Sequence, residues 1–438
     1  MIEKYPYISE QMEVIKKFSS MLLKDETGRH VVGVNDTGRA ALGQCDGTKS
    51  FGDLILNFSM GCRDAEQVPE YINQTAAFFQ AMMDEGVLKM SDTPEKRPTR
   101  FIDVSDYCYP DNVVFELTDF CNLRCEHCYR NSDSTKTSFA DTEKLLGAVR
   151  SLSRYGLKSI HLTGGEPSTH KDFLKILTTA LEYCPRVIVL SNGTNFKEKH
   201  LDIFSAYRDR IKIQVDLDCA VEEMHDEIRG VKGAYAAVTS FIKKAAARNL
   251  DVSVAMDVYR KNFDYVDDTL RLARELGAVS FSCNPILQIG RGKGLEGLDE
   301  QQVQGFLKLI PRLYEDYPDF VRKPDISEEE LEHRLNCGGG HRNIVCSPEG
   351  RIRPCVLMPP EMLVMGNLFE EKIEDIFNRP VFWHFAKLQS PNKETCGDCK
   401  YVGGCSGCFS RPLISEEEMR EDTPGFVCRR KRDILGEK

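Results

Sequence analysis

Cys121-Asn122-Leu123-Arg124-Cys125-Glu126-His127-Cys128-Tyr129 decides the reading of this chain. Its CxxxCxxC spacing puts three thiolates within reach of one iron–sulfur cluster and supplies no fourth. A [4Fe–4S] cluster closed by four Cys ligands suits electron transfer. An iron left without a protein ligand is free to take a small molecule, as the open position of a catalytic metal does. The stretch therefore points to chemistry, not scaffolding.

Outward from it, residues from about 108 to 310 alternate short apolar runs with amphipathic stretches. Val113–Leu117 precedes a helix over Asp141–Tyr155, Ser159–Leu162 one over Lys171–Tyr183, and Val187–Leu190 one over Lys197–Tyr207. Ile211–Val215, a helix over Ala234–Asn249, Val252–Met256, a helix over Phe263–Leu276 and Val279–Phe281 follow. Six such repeats predict an α/β fold with a partial, open (β/α)6 barrel of the TIM type. Reactive residues of such barrels sit after the carboxyl ends of the strands. Cys121–Cys128, Gly164-Gly165-Glu166-Pro167, Ser191-Asn192 and Asp216-Leu217-Asp218 all fall there, on one rim.

Residues 1–95 read as a separate unit that ends in the polar, Pro-bearing stretch Ser91–Pro98, a linker composition. Val31–Val34 alternates like a strand, and Asn35-Asp36-Thr37-Gly38 opens a helix through Leu42. After the turn Asp46-Gly47-Thr48, Ser50 opens a second helix, and Val68–Glu85 gives a third. One strand and three helices suggest a winged-helix-like domain.

At 438 residues and 41% apolar content the chain can bury two or three cores. A net charge of −10 gives no support for a broad nucleic-acid surface. No apolar run reaches membrane-spanning length and no leader or lipid signal is evident, so the expectation is a cytoplasmic protein without membrane contact. Clustered Cys in that compartment favour metal or redox roles over disulfides. Cys45, Cys62, Cys108 and Cys184, scattered singly, read as small buried hydrophobes, and for Cys219 and Cys283 the same reading is favoured.

The three-Cys loop with its following Tyr129 resembles the signature of the radical S-adenosylmethionine (radical SAM) enzymes. The resemblance implies one [4Fe–4S] cluster on Cys121, Cys125 and Cys128 whose open iron chelates SAM, and reductive cleavage that yields a 5′-deoxyadenosyl radical to abstract hydrogen from carbon. It implies that Gly164, Gly165, Glu166 and Pro167 contact the methionine amino group, that Ser191 and Asn192 lie near ribose and carboxylate, and that Arg229 pairs with the SAM carboxylate. Asp216 stands where the family often has Ser.

Farther along, Cys337-x12-Gly350-x4-Cys355, then Cys396-x2-Cys399-x5-Cys405-x2-Cys408, then Cys428, resembles the SPASM extension that binds two auxiliary clusters. The family usually places three residues between the last pair, where this chain has Ser406-Gly407. The resemblance implies an inner auxiliary cluster on Cys337, Cys355 and Cys408, and an outer one on Cys396, Cys399, Cys405 and Cys428. For the inner set Cys346 completes the ligation, Cys283 reaches in from the barrel, a non-Cys ligand serves, or one iron stays open for substrate. Structural zinc in paired CxxC units is the rival, but it accounts for four thiolates, not seven. Ser347–Gly350 makes a turn between strands Asn343–Cys346 and Arg351–Pro354.

The segment Asn35-x-x-Gly38…Leu42…Cys45-Asp46-Gly47-Thr48 resembles the RiPP recognition element, a peptide-binding domain fused to enzymes that modify ribosomally made peptides. Together the resemblances imply three domains: 1–95 for recognition, 108–310 for the radical SAM barrel and 330–438 for SPASM. They imply a maturase of a precursor peptide that forms a thioether or carbon–carbon crosslink, fed by a flavodoxin- or ferredoxin-type reductant. Epimerisation, with Cys219 or Cys283 as the catalytic hydrogen donor, sulfatase-type protein maturation and haem-precursor chemistry are the alternatives.

Overall fold

Val187-Ile188-Val189-Leu190 shows why the centre of the chain folds as it does: a parallel strand buried or half-buried on both faces is apolar at nearly every position. The computed structural model describes residues 2–18, 20–28, 30–60, 67–321, 336–359, 362–399, 407–414, 428 and 430–435. They fall into two units, Met1–Tyr109 with Leu152–Leu157, and Pro110–Ser151 with Lys158–Lys438.

The first unit holds strands β1 (Tyr5–Ile8), β2 (Met12–Lys16), β3 (Met21–Asp25) and β4 (Val31–Val34), helices α1 (Asp36–Leu42), α2 (Phe51–Ser59) and α3 (Val68–Asp84), then β5 (Leu88–Ser91) and β6 (Arg100–Asp103). Strand β1 pairs antiparallel with β5, and the other four form a sheet in the order β4-β3-β2-β6. The three expected helices and β4 are present. Asn35 caps α1 by accepting from the Gly38 amide at 2.8 Å, and Ser50 with Asp53 makes a capping box on α2. Five short strands went unforeseen, because runs of four or five residues mixing Lys, Glu and Tyr with apolar positions carry little alternation. The stretch read as a linker is itself paired, the Glu95 and Arg97 amides donating to the Gly47 and Asp46 carbonyls, and the chain runs on into β6 beside β2.

In the second unit β7 (Asn112–Glu116), β8 (Ser159–Thr163), β9 (Val187–Ser191), β10 (Ile211–Asp216), β11 (Val252–Val258) and β12 (Ser280–Pro285) run parallel in that order. Helices α4 (Thr142–Ser153), α5 (Phe173–Tyr183), α6 (Glu198–Ala206), α8 (Ala234–Ala246) and α9 (Val266–Glu275) connect them. A further helix, α7 (Glu222–Arg229), precedes α8, and α10 (Glu300–Asp316) follows β12. The sheet does not close on itself. The free edge of β7 instead takes β13 (Asn343–Cys346) in parallel, Val113 opposite Ile344, and β14 (Arg351–Arg353) and β15 (Gly366–Asn367) add on antiparallel. The foreseen hairpin therefore extends the barrel sheet to nine strands. At its turn Gly350 has φ +87°, and a Cβ there would sit 2.3 Å from Asn367 Oδ1. No described helix is long and apolar enough to cross a membrane.

Candidate active site

The carboxyl ends of all six parallel strands open into one cavity of about 400 Å³, within the range that holds small ligands. Cys121, Cys125 and Cys128, in the loop after β7, lie in its wall as free thiols, the first two buried. They pack with Leu123 and Ala234. Burial pushes the Cys121 thiol up to about 12. Its sulfur accepts from the Leu123 amide at 3.4 Å and from Asn192 Nδ2 at 3.7 Å.

The glycines after β8 have a second task besides exposing backbone to the cavity. Gly164 has φ +139° and a Cβ on it would stand 2.4 Å from the Thr118 carbonyl; on Gly165 it would stand 2.1 Å from that of Phe120. The Gly165 and Glu166 amides donate to those same carbonyls, at 2.6 and 2.8 Å. The pair thus lets the β8 loop lie directly on the cysteine loop. Glu166 is fully buried and does not line the cavity; it accepts from Ser168, from Ser191 Oγ at 2.8 Å and from the Asn192 amide at 2.9 Å. Desolvation raises its pKa, against those hydrogen bonds. Pro167 is buried at the start of a short 3-10 turn. Ser191 and Asn192 do line the cavity.

Arg229, the last residue of α7, is buried against Cys125. Its Nη1 donates to Cys125 Sγ at 3.5 Å and pairs with Asp216 at 3.3 Å, while Nε pairs with Asp218 at 2.9 Å. Burial opposes its charge, but Asp218, the Cys125 thiol and Asp216 hold the guanidinium charged. Recessed in the cavity, Asp216 is pushed up to about 6. Gly230 ends α7 at φ +69°, where a Cβ would meet the Arg124 carbonyl at 2.4 Å, so this helix end also lies on the cysteine loop.

Several wall residues were not singled out from the sequence. His127 pairs with Asp257 at 3.3 Å, and burial with the nearby Arg229 lowers it to about 4. Arg291 donates from Nε to the Cys125 carbonyl at 2.8 Å and from Nη2 to that of Ser132 at 2.7 Å, tying the middle cysteine to the stretch that follows Cys128. Its neighbour Gly290, at φ +58°, approaches the Tyr129 and Cys128 carbonyls so closely that a Cβ would clash at 2.4 and 2.5 Å. The run Gly290-Arg291-Gly292-Lys293-Gly294 was the available signal. Gln214 and Asn284 complete the polar wall, and Val356 with Leu357, just past Cys355, joins it from beyond β14.

Among the described residues, six buried polar atoms of this wall lack a hydrogen-bond partner: Arg229 Nε and Nη2, Arg130 Nε and Nη1, His127 Nδ1 and Ser132 Oγ; of these, Arg229 Nε and Arg130 Nη1 are held by ion pairs with Asp218 and Glu116. Unpaired buried donors are costly. A ligand that carries a carboxylate beside three metal-bound thiolates suits the guanidinium, so the donor set fits a cluster with SAM upon it.

The carboxyl-terminal cysteines divide in two neighbourhoods. Cys355 has Cys408 as its electrostatic neighbour, and Cys428 has Cys396 and Cys399. Cys337 is exposed, and Cys405 lies outside the described residues, as does Cys62. Cys346 is wholly buried on β13 with Glu116, Arg353 and Glu349 around it, and no cysteine is among those groups. Cys219 packs in a core with Ile228 and Tyr259. Cys283 is buried with Asp267 of α9 as its charged neighbour and is pushed up to about 12. The structure places neither of these two in the cavity wall. Cys45, Cys108 and Cys184 are buried as expected.

Residues 115–273 match the radical SAM superfamily, and residues 337–400 match the iron-sulfur cluster-binding domain SPASM. The chain is 28% identical over 434 residues to the antilisterial bacteriocin subtilosin biosynthesis protein AlbA of Bacillus subtilis, covering 96% of this chain and 95% of that one. It is 25% identical to an AdoMet-dependent heme synthase of Methanosarcina barkeri, over 73% of this chain and 97% of that one. In structure it is similar to Streptococcus suis SuiB bound to precursor peptide SuiA, with a TM-score of 0.62 at 13% identity, over 93% of this chain and 96% of that one. With its cysteine loop, its cavity and these two domains, the protein is a radical SAM enzyme with a SPASM domain, using S-adenosylmethionine, a [4Fe–4S] cluster and auxiliary iron–sulfur clusters.

Proposed function

We propose that this enzyme matures a ribosomally made precursor peptide by forming a thioether or carbon–carbon crosslink. The observation that carries the reading is coverage: the bacteriocin biosynthesis protein aligns across 96% of the chain, its first unit included, whereas the heme synthase aligns across 73%. The first unit, with its capped helices and small sheets, is read as a winged-helix-like recognition element for the leader of the peptide. Residues 108–310 are read as a partial (β/α)6 barrel and 330–438 as the SPASM domain, and the compartment as cytoplasmic.

Bound S-adenosylmethionine supplies the chemistry, homolytic activation of a C–H bond. The chain's own part is to hold and orient. Cys121, Cys125 and Cys128 hold the cluster; Gly164, Gly165, Ser191, Asn192 and Arg229 border the space for S-adenosylmethionine, with Asp216 fixing the guanidinium. Glu166 and Pro167 act behind them, tying the β8 and β9 loops together. Leu190, Ile286, Leu287, Val356 and Leu357 give the apolar wall that shelters the target carbon from water. Cys337, Cys355 and Cys408, and Cys396, Cys399, Cys405 and Cys428, serve the two auxiliary clusters as electron sinks. Cys346 and Cys283 remain candidates to complete the inner set. Crosslinking is preferred over epimerisation because Cys219 and Cys283 stand outside the cavity wall.

Coexpression with a short peptide encoded beside the gene tests the reading. A crosslink removes two hydrogens from the peptide mass. An unchanged peptide, with a porphyrin precursor modified instead, would favour the haem reading.

A further inference from the structure

Beside the cysteine loop, in the same unit, lies a cavity of about 530 Å³ bordered by Phe120 and Asn122 and by the first turns of α5 and α6. Four lysines line it, Lys171, Lys175, Lys197 and Lys199, against one carboxylate, Asp172, which Thr142 holds at 2.7 Å. Lys175 is paired with Glu143 at 2.5 Å, whereas Lys171, Lys197 and Lys199 are exposed and have no ion pair among the described residues. On a chain of net charge −10 this is a local reversal of sign.

Hydrogen-bond donors are left over in the same lining. The amides of Leu174 and Lys175 in α5 and of Lys199 in α6 belong to first turns, which have no carbonyl of their own helix to reach, and they donate to nothing among the described residues. Each helix start also carries a partial positive charge, and two such starts border one space. The two histidines of the lining differ in what they have spare. His170 uses both ring nitrogens, Nδ1 accepting from the Asp172 amide at 3.2 Å and Nε2 meeting the Ala140 carbonyl at 2.9 Å. His200 is only 5% exposed, and its Nδ1 accepts from the Lys197 amide at 2.9 Å. Burial and the Lys199 and Lys197 charges hold its pKa below the ordinary value, so the ring is neutral and carries its one proton on Nε2. That Nε2–H has no partner among the described residues, and the space His200 borders is this cavity. A buried donor left unpaired calls for an acceptor.

We propose that this cleft is a binding site for a phosphate group, free or carried by a small ester. The lysines, the helix starts and His200 all lack the same thing, an anionic acceptor. Donors spread over two helices suit an oxyanion with several oxygens better than a lone carboxylate with two. The space is larger than the ion alone, and Phe120 and Phe173 form part of its wall, which leaves room for the organic part of an ester. The proposal goes beyond the peptide reading and does not rest on it; no bond forms or breaks at the site.

Calorimetric titration of the full-length, cluster-loaded enzyme with inorganic phosphate and with phenyl phosphate tests this, S-adenosylmethionine being present in excess so that its own cavity is filled. Each probe is expected to bind at one site per chain. Tighter binding of phenyl phosphate assigns the site to an ester, and equal affinity assigns it to the free ion. Lys197→Gln/Lys199→Gln is expected to weaken both probes about 10-fold, and His200→Phe, which keeps a ring and removes the Nε2–H, about 5-fold. The two lysines are exposed, so their variant reads the site even where His200→Phe does not fold. Absence of phosphate binding in the wild-type enzyme overturns the proposal, as does an affinity unchanged by the lysine substitutions. Tri-glutamate that binds through Lys197 and Lys199 while phosphate does not makes the cleft a site for acidic peptide, and the proposal falls while the peptide reading stands.

Discussion

Arg353 of β14 forms a bidentate ion pair with Glu116 of β7, Nη1 to Oε2 at 2.7 Å and Nη2 to Oε1 at 2.5 Å, with both side chains buried. Arg130, next to the cysteine loop, pairs with the same carboxylate. The hairpin of the SPASM region is thereby fixed to the strand that leads into the cluster loop. Removing one partner of a buried pair leaves an uncompensated charge and costs about 3–5 kcal/mol. Glu116→Gln leaves Arg353 without its carboxylate and Arg130 with Asp119 alone, and is expected to lower stability more than Arg353→Met, which leaves Glu116 with Arg130. Chemical denaturation of the two variants checks the order; equal loss would show that the carboxylate is not the shared anchor.

Arg291 braces the second half of the cysteine loop by the main-chain carbonyls of Cys125 and Ser132. Groups that orient metal ligands without touching the metal are worth roughly 10–100-fold in metal affinity. Arg291→Ala is therefore expected to leave the fold intact and to reduce cluster retention about 10-fold, read as iron and labile sulfide per chain after dilution with a chelator. Arg291→Lys, a point charge without a planar fork, recovers part of it. Unchanged retention in both would remove Arg291 from this role.

Gly165 and Gly147 separate close approach from mere flexibility. A Cβ at Gly165 would meet the Phe120 carbonyl at 2.1 Å, whereas at Gly147, inside α4, nothing lies within 4 Å. Gly147→Ala is expected to stabilise by about 0.5–1 kcal/mol through helix propensity. Gly165→Ala is expected to cost about 1–3 kcal/mol through overpacking and to abolish cleavage of S-adenosylmethionine. Melting curves and a 5′-deoxyadenosine assay read both.

Cys219 and Cys283 stand outside the cavity wall. Cys219→Ala is expected to keep peptide modification within about 2-fold while losing roughly 1–2 kcal/mol of core packing. A wild-type product that keeps its mass and carries an inverted stereocentre absent from the variant's product would bring back epimerisation.

The strands of the barrel were legible because buried parallel strands such as Val187–Leu190 are continuous apolar runs, and the helices because their apolar positions recur at helical spacing. Their rim loops follow from strand order, which puts the cysteine, Gly164-Gly165 and Ser191-Asn192 loops on one rim, and all three line the one cavity. What was hidden is non-local. The parallel pairing of β13 with β7 joins residues more than two hundred apart, and no local pattern announces it. Helix α7, Glu-Glu-Met-His-Asp-Glu-Ile-Arg, is too polar to read as buried, yet it carries Arg229 into the site. Arg291 and His127 act through main-chain carbonyls and through Asp257, contacts that residue type alone does not reveal.

The most direct measurement is of the cluster loop itself. Anaerobically purified enzyme, reduced in the presence of S-adenosylmethionine, is expected to contain iron with labile sulfide and to release methionine and 5′-deoxyadenosine, and the Cys121→Ala/Cys125→Ala/Cys128→Ala variant to lose that cleavage while keeping the iron of the auxiliary clusters. Zinc without sulfide in the wild-type protein, or cleavage that persists in the variant, would contradict the account.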